Sequence, residues 1–267
     1  MNVEVDEKPR WFVLGDQLTW PLIGMGCTSA RYHRLSTPDL DSLAELAICH
    51  HAGCLEVSAH ANRRGKHSTA VCLVRQSVEA LTIAEIGLQP SAFAESLLLG
   101  WKEGKKSHGE LRKALEKDVW PTYGRGLWDE SWAEFYGNLA RAVQPYAHYT
   151  SELQGWQFAT VAYEGGNEFT AMTGLETYDP LQATRITLFH MLLTYMLGRI
   201  LLAHGKNPDV LSRRAEIFEL GQSLGSSKLL FERGEWWAQL APHMLFKPGH
   251  DWRHNRAGPG NLNSEDK

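Results

Sequence analysis

A chain of 267 residues, 43% hydrophobic and 22% charged, is long enough to bury a sizeable core and ordinary enough to fold in water. Its net charge of −4 and pI of about 6.3 exclude a global positive field that would draw in nucleic acid, so any RNA contact must rest on a local basic patch. Four cysteines are too few for a disulfide-stapled secreted scaffold, and the opening MNVEVDEKPR lacks the apolar run of a signal peptide; a cytoplasmic protein is the expectation.

Residues 1–35 show no sustained period and read as an N-terminal arm, with WFVL as a short strand or packed segment. The first clear helix starts at STPDLDSL, where Ser36 or Thr37 can cap, Pro38 suits the first turn, and Asp39 and Asp41 favour the positive end. It is expected to run to Asn62. STAVCLVRQSVEALTIAEIG is apolar on several faces and should be central, stopped by Gly87 and Pro90. SAFAESLLLGWKEG and HGELRKALEKDVW read as shorter helices, PTYGRG as a loop, and DESWAEFYGNLARAVQ as an amphipathic helix. At WQFATVAYEGGNEFTAMTG two β-prone runs flank Gly165-Gly166, which predicts a β-hairpin inserted near residues 156–173.

Helices resume at DPLQATRITLFHMLLTYMLGRILLAHG, with Asp179 as cap, Pro180 in the first turn and Gly205 at the end. The run over 186–203 approaches a membrane span in length, but His190, Tyr195 and Arg199 interrupt it, so a bundle-core helix and no membrane are expected. NPDVLSRRAEIFELGQSLG repeats the cap chemistry at Asn207 and Pro208, and SSKLLFERGEWWAQLAPHML closes the bundle. Residues 247–267 read as a mobile tail. The predicted fold is all-α: a multi-helix bundle forming one domain over 36–246.

Arg141 and His148 lie seven positions apart in NLARAVQPYAHYTSEL, with Pro145 between them. On an unbroken helix they would share a face, separated by roughly 10 Å along the axis; Pro145 predicts a kink or a stop. Metal-free RNA cleavage needs a group that moves a proton near neutrality and a fixed positive charge for the developing phosphorane. Histidine and arginine supply these. The plainer account puts Arg141 on a solvated face and His148 at a helix end, where its charge meets the negative dipole. Arg75 and Glu79, four apart in an apolar helix, are either an internal ion pair joining two helices or a support in which Glu79 holds Arg141 or His148.

These residues together resemble the HEPN superfamily, and within it a set of all-helical bacterial proteins: an R-x3-E helix (Arg75, Glu79), then an aromatic-rich helix with Tyr136, Leu139, Arg141 and His148. The likeness covers roughly residues 38–155. It implies a helical bundle that forms a homodimer and acts on RNA, in many members as a metal-independent endoribonuclease of toxin or phage-defence type with an antitoxin or other protein partner. By that resemblance Arg141 holds the phosphate, His148 is the acid or base, Arg75 and Glu79 support them, Tyr146 or Tyr149 stacks on a base, and neither cofactor nor metal is required. Other members have lost catalysis and serve as interaction or scaffold modules, which is the alternative function.

A rival site is CHHAGC, where Cys49, His50, His51 and Cys54, with His60 and His67 downstream, are potential zinc ligands of a metal-dependent hydrolase; no second cysteine pair follows. The ten tryptophans supply core and interface area or stacking platforms. The basic cluster Lys102, Lys105, Lys106, Arg112 and Lys113 either faces RNA or, with Glu103, Glu110 and Glu116 interleaved, is a solvated face. No phosphate-binding loop, dinucleotide glycine motif or nucleophile elbow is present.

Overall fold

The structure, a computed structural model, describes residues 8–33, 35, 37–148, 153 and 178–227, and the backbone of 158–162 and 168–172. Within the expected N-terminal arm, Arg10–Tyr32 forms a 23-residue helix, α1, so WFVL is helical and not a strand. Its buried positions, among them Trp11, Leu14, Gly15, Leu18, Leu22, Gly26 and Ala30, recur every three or four residues, as one helical face requires. Two of them are glycines, so a count of apolar side chains misses the period. Ile48 lies against Gly26, and Met191 occupies the place a side chain at Gly15 would need.

The predicted first helix is broken at Ser42 into a single turn, α2 (Pro38–Asp41), and a long helix, α3 (Leu43–Arg63). After α3 comes α4 (His67–Gly87). The chain reverses between them through Gly65, whose φ of 76° lies in the left-handed region open to glycine. Lys66 N–H donates to the Ala61 carbonyl and Gly65 N–H to the Asn62 carbonyl, which satisfies the last carbonyls of α3. The expected stop at Gly87 and Pro90 is observed.

Further helices among the described residues are α5 (Ser91–Lys102), α6 (His108–Asp118), α7 (Trp132–Val143), α8 (Pro180–His204), α9 (Pro208–Ser212) and α10 (Arg214–Gly225). Helices α6 and α7 each start with a capping box, Ser107 with Glu110 and Ser131 with Glu134, in which side chain and backbone satisfy each other reciprocally. Asp179 accepts from Gln182 N–H and Asn207 from Asp209 N–H, the two caps expected for α8 and α9. Backbone pairing joins β1 (Phe158–Ala162) to β2 (Glu168–Met172) antiparallel, with Thr160 opposite Thr170. The turn between them and the tail beyond residue 227 lie outside the described residues.

Helix α4 is the hub. It pairs along its length with α3 and packs against α5, α6, α7 and α8, so its sequence is apolar nearly all round. On the other side of α3 and α8 sits α1, which also meets α10. Helix α8 is long and apolar enough to cross a membrane by length and composition, yet 89% of its apolar window is buried within the bundle, as a core helix requires. A polar seam links α3, α4 and α8: Ser58 bonds the Ala70 carbonyl and His190, while Asn62 bonds His67 and the Ala183 carbonyl. Each bond pairs a group whose desolvation alone would oppose folding.

Candidate functional site

The R-x6-H stretch does not continue as one helix. Pro145 lacks the N–H that would extend the ladder, so α7 stops at Val143, a 3-10 turn covers Gln144–Ala147, and His148 is extended at φ −136°, ψ 171°. The common face that an unbroken helix would give Arg141 and His148 is therefore lost. Both side chains are exposed.

Arg141 turns its guanidinium onto Asn138 Oδ1 one turn back and lines a solvent-open cleft of about 630 Å³ between α6 and α7. His148 lies outside the residues forming the cleft walls. One wall is the α6 face of Gly109, Arg112, Lys113 and Glu116, spaced i, i+3, i+4, i+7. The other is α7, where Ala133, Gly137 and Ala140 carry too little side chain to fill the trough. The floor is Trp120 and Tyr136, with ring centroids 4.6 Å apart. Burial pushes the Tyr136 hydroxyl up to about 12, and it stays a neutral partner of Thr82 at 2.5 Å.

The cleft is cationic in balance. Arg112, Lys113 and Arg141 face Glu116 and Glu134, and the Glu134 carboxylate is already engaged with Ser131 N–H. Basic side chains therefore outnumber free carboxylates in a chain whose net charge is negative. That is the local patch composition demands before an anionic partner can bind.

Arg75 and Glu79 sit beneath the end of α7. They form an ion pair at 2.6 Å within α4, not between helices, and Arg75 Nη2 donates to Gln144 Oε1 at 3.3 Å. Arg75 thus ties α4 to the 3-10 turn carrying the motif. Glu79 pairs with Arg75 rather than with Arg141 or His148, and it lines a second pocket, of about 450 Å³, with His50, Trp101 and His108. Burial lowers the proton affinity of His108; Glu79 opposes that, and Arg75 and Arg112 reinforce it. Tyr146 is half-buried against the core and lies near Arg185, while Tyr149 is outside the described residues.

The rival cluster on α3 is dispersed by the helix. His51 is fully buried with neither ring nitrogen paired, and burial drives it down to about 3, helped by His190 and His50. Cys54 is buried beside His50, whereas Cys49 is exposed and faces Cys27. His67 is held by Asn62 and by Asp179 N–H. Among the described residues no three His, Cys, Asp or Glu side chains converge as metal ligands.

The basic cluster divides as well. Lys102 pairs with Asp39 and Lys105 with Glu103, while Arg112 and Lys113 turn to the cleft. The i, i+3, i+4, i+7 spacing from Gly109 to Glu116 is the sequence signal that separates them. No family model, curated protein or solved structure matches the chain.

Proposed function

We propose that this chain is an RNA-directed protein of HEPN-like kind, with β1 and β2 as an insertion on its helical body, and that RNA lies in the α6–α7 cleft. Arg141 takes a backbone phosphate from one wall, and Arg112 and Lys113 neutralise the next from the other. The observation carrying this reading is that the motif arginine, exposed at the end of α7, opens into a trough with two further cations across it. Arginine suits the task because its fork of donors matches two phosphate oxygens and it stays charged at any working pH.

Cleavage is the second step of the same reading. The 2′-hydroxyl attacks phosphorus and loses its proton, the 5′-oxygen leaves and gains one, and Arg141 compensates the charge on the phosphorane. His148 is the proton-transfer group, delivered from the open end of the cleft or by a second copy in a homodimer. Its position beyond the cleft walls favours the non-catalytic alternative, in which the chain holds RNA or a protein partner and cuts nothing.

Incubating purified protein with single-stranded RNA in EDTA separates the two. A ribonuclease degrades the RNA, and His148→Ala stops degradation while retaining binding. A binding module leaves the RNA intact in both forms and loses affinity with Arg141→Ala. Absence of both binding and cleavage by the wild type removes the proposal.

A further inference from the structure

Independently of the cleft, we infer that Cys27 and Cys49 constitute a reversible thiol–disulfide site that fastens α1 to α3. The two Sγ atoms lie 3.9 Å apart on different helices. A disulfide requires about 2.05 Å, so the two sulfurs have only the remainder of that gap to close. The facing is held in register. Arg31, one turn after Cys27, pairs at 2.6 Å with Glu45, one turn before Cys49. Antiparallel helices joined at 31 and 45 bring 27 and 49 opposite each other in the next turn.

Reagents can reach the pair. Cys49 is exposed and Cys27 half-buried. Gly24 and Gly53 flank the crossing, and a side chain added at either would meet nothing within 4 Å. The two thiols are also unequal. Burial and the neighbouring Cys49 push Cys27 up to about 11, so it waits as the protonated partner. The exposed thiol meets the oxidant first.

With hydrogen peroxide the Cys49 thiolate takes one oxygen, giving a sulfenic acid and hydroxide. The Cys27 sulfur then attacks the Cys49 sulfur, and its proton and the departing hydroxide leave as water. Overall, two thiols and one peroxide give one disulfide and two waters. Two cysteines packed side by side as small apolar groups would look alike at rest, but would not follow this course.

The test is to oxidise the intact wild-type chain with hydrogen peroxide, alkylate the remaining thiols, and map the peptides. The expected product is a monomer lighter by two hydrogens, with residues 27 and 49 in one cross-linked peptide, Cys54 and Cys72 alkylated, and full reversal by dithiothreitol. Cys27→Ser is expected to strand Cys49 as a sulfenic acid that dimedone traps. The inference is overturned if wild-type Cys49 gains oxygen without cross-linking, if the cross-link joins two molecules, or if both thiols remain alkylatable. Where the variant does not fold, the wild-type map alone decides.

Discussion

Glu85 is fully buried near the C-terminal end of α4, accepting at one oxygen from Trp120 Nε1 at 2.9 Å. Its other oxygen has no hydrogen bond of normal geometry, nor has the neighbouring Tyr123 hydroxyl. Burial raises the carboxyl from 4.5 to about 7, with Tyr123 and Trp120 opposing. The native state therefore holds the proton more tightly than the unfolded chain, and stability falls as pH rises from about 4.5 through 7. Glu85→Gln keeps the acceptor for Trp120 and removes the titration. It is expected to abolish that decline and to be the more stable form at pH 8 by roughly 3 kcal/mol, checked by urea unfolding across pH. Arg199 is its cationic counterpart, buried with no ion pair among the described residues. It bonds the Tyr123 and Arg125 carbonyls and stacks 4.9 Å from the Trp132 ring. Arg199→Met is expected to cost about 3 kcal/mol in the same measurement, because two carbonyls lose their donor. In the sequence Arg199 reads only as an interruption of an apolar run; the two carbonyls it bonds lie more than seventy residues away.

Elements with local chemistry at their ends were legible. The stop of α4 at Gly87 and Pro90, and the caps of α8 and α9 at Asp179 and Asn207, depend on neighbours within three residues. Helix α1 was not legible, because Gly15 and Gly26 occupy core positions without the apolar side chains that announce a period. The candidate site was half legible. Pro145 foretold the break after Arg141, and the basic residues were visible, but which of them share a trough depends on how α6 meets α7. Close approach also sets the tolerance of α4. A methyl at Gly87 would come within 2.7 Å of the Ala44 Cβ and 3.3 Å of its Cα, neither of which can swing away. Gly87→Ala is therefore expected to destabilise by about 1–3 kcal/mol despite its better helix propensity, read as a lower denaturation midpoint with unchanged denaturant slope.

Across the whole molecule, a buried neutral histidine works against stability in acid. His51 lies neutral between α3 and its neighbours, its proton affinity lowered from 6.5 to about 3 by burial. The unfolded chain binds the proton more readily, so stability is lost as pH falls below about 6.5 towards 3, opposite in sign to Glu85. His51→Leu removes a group with two unpaired nitrogens and is expected to melt higher than wild type at pH 5, with a smaller gap at pH 8. The same bundle that encloses these groups leaves Arg112, Lys113 and Arg141 around an open trough, and the functional account rests on that contrast. Its most direct measurement is the affinity for single-stranded RNA as a function of salt, wild type against Arg141→Ala. If Arg141 grips a phosphate, the variant binds more weakly and its log–log salt slope is shallower by about 0.7. Equal affinity and equal slope in the two proteins would contradict the account.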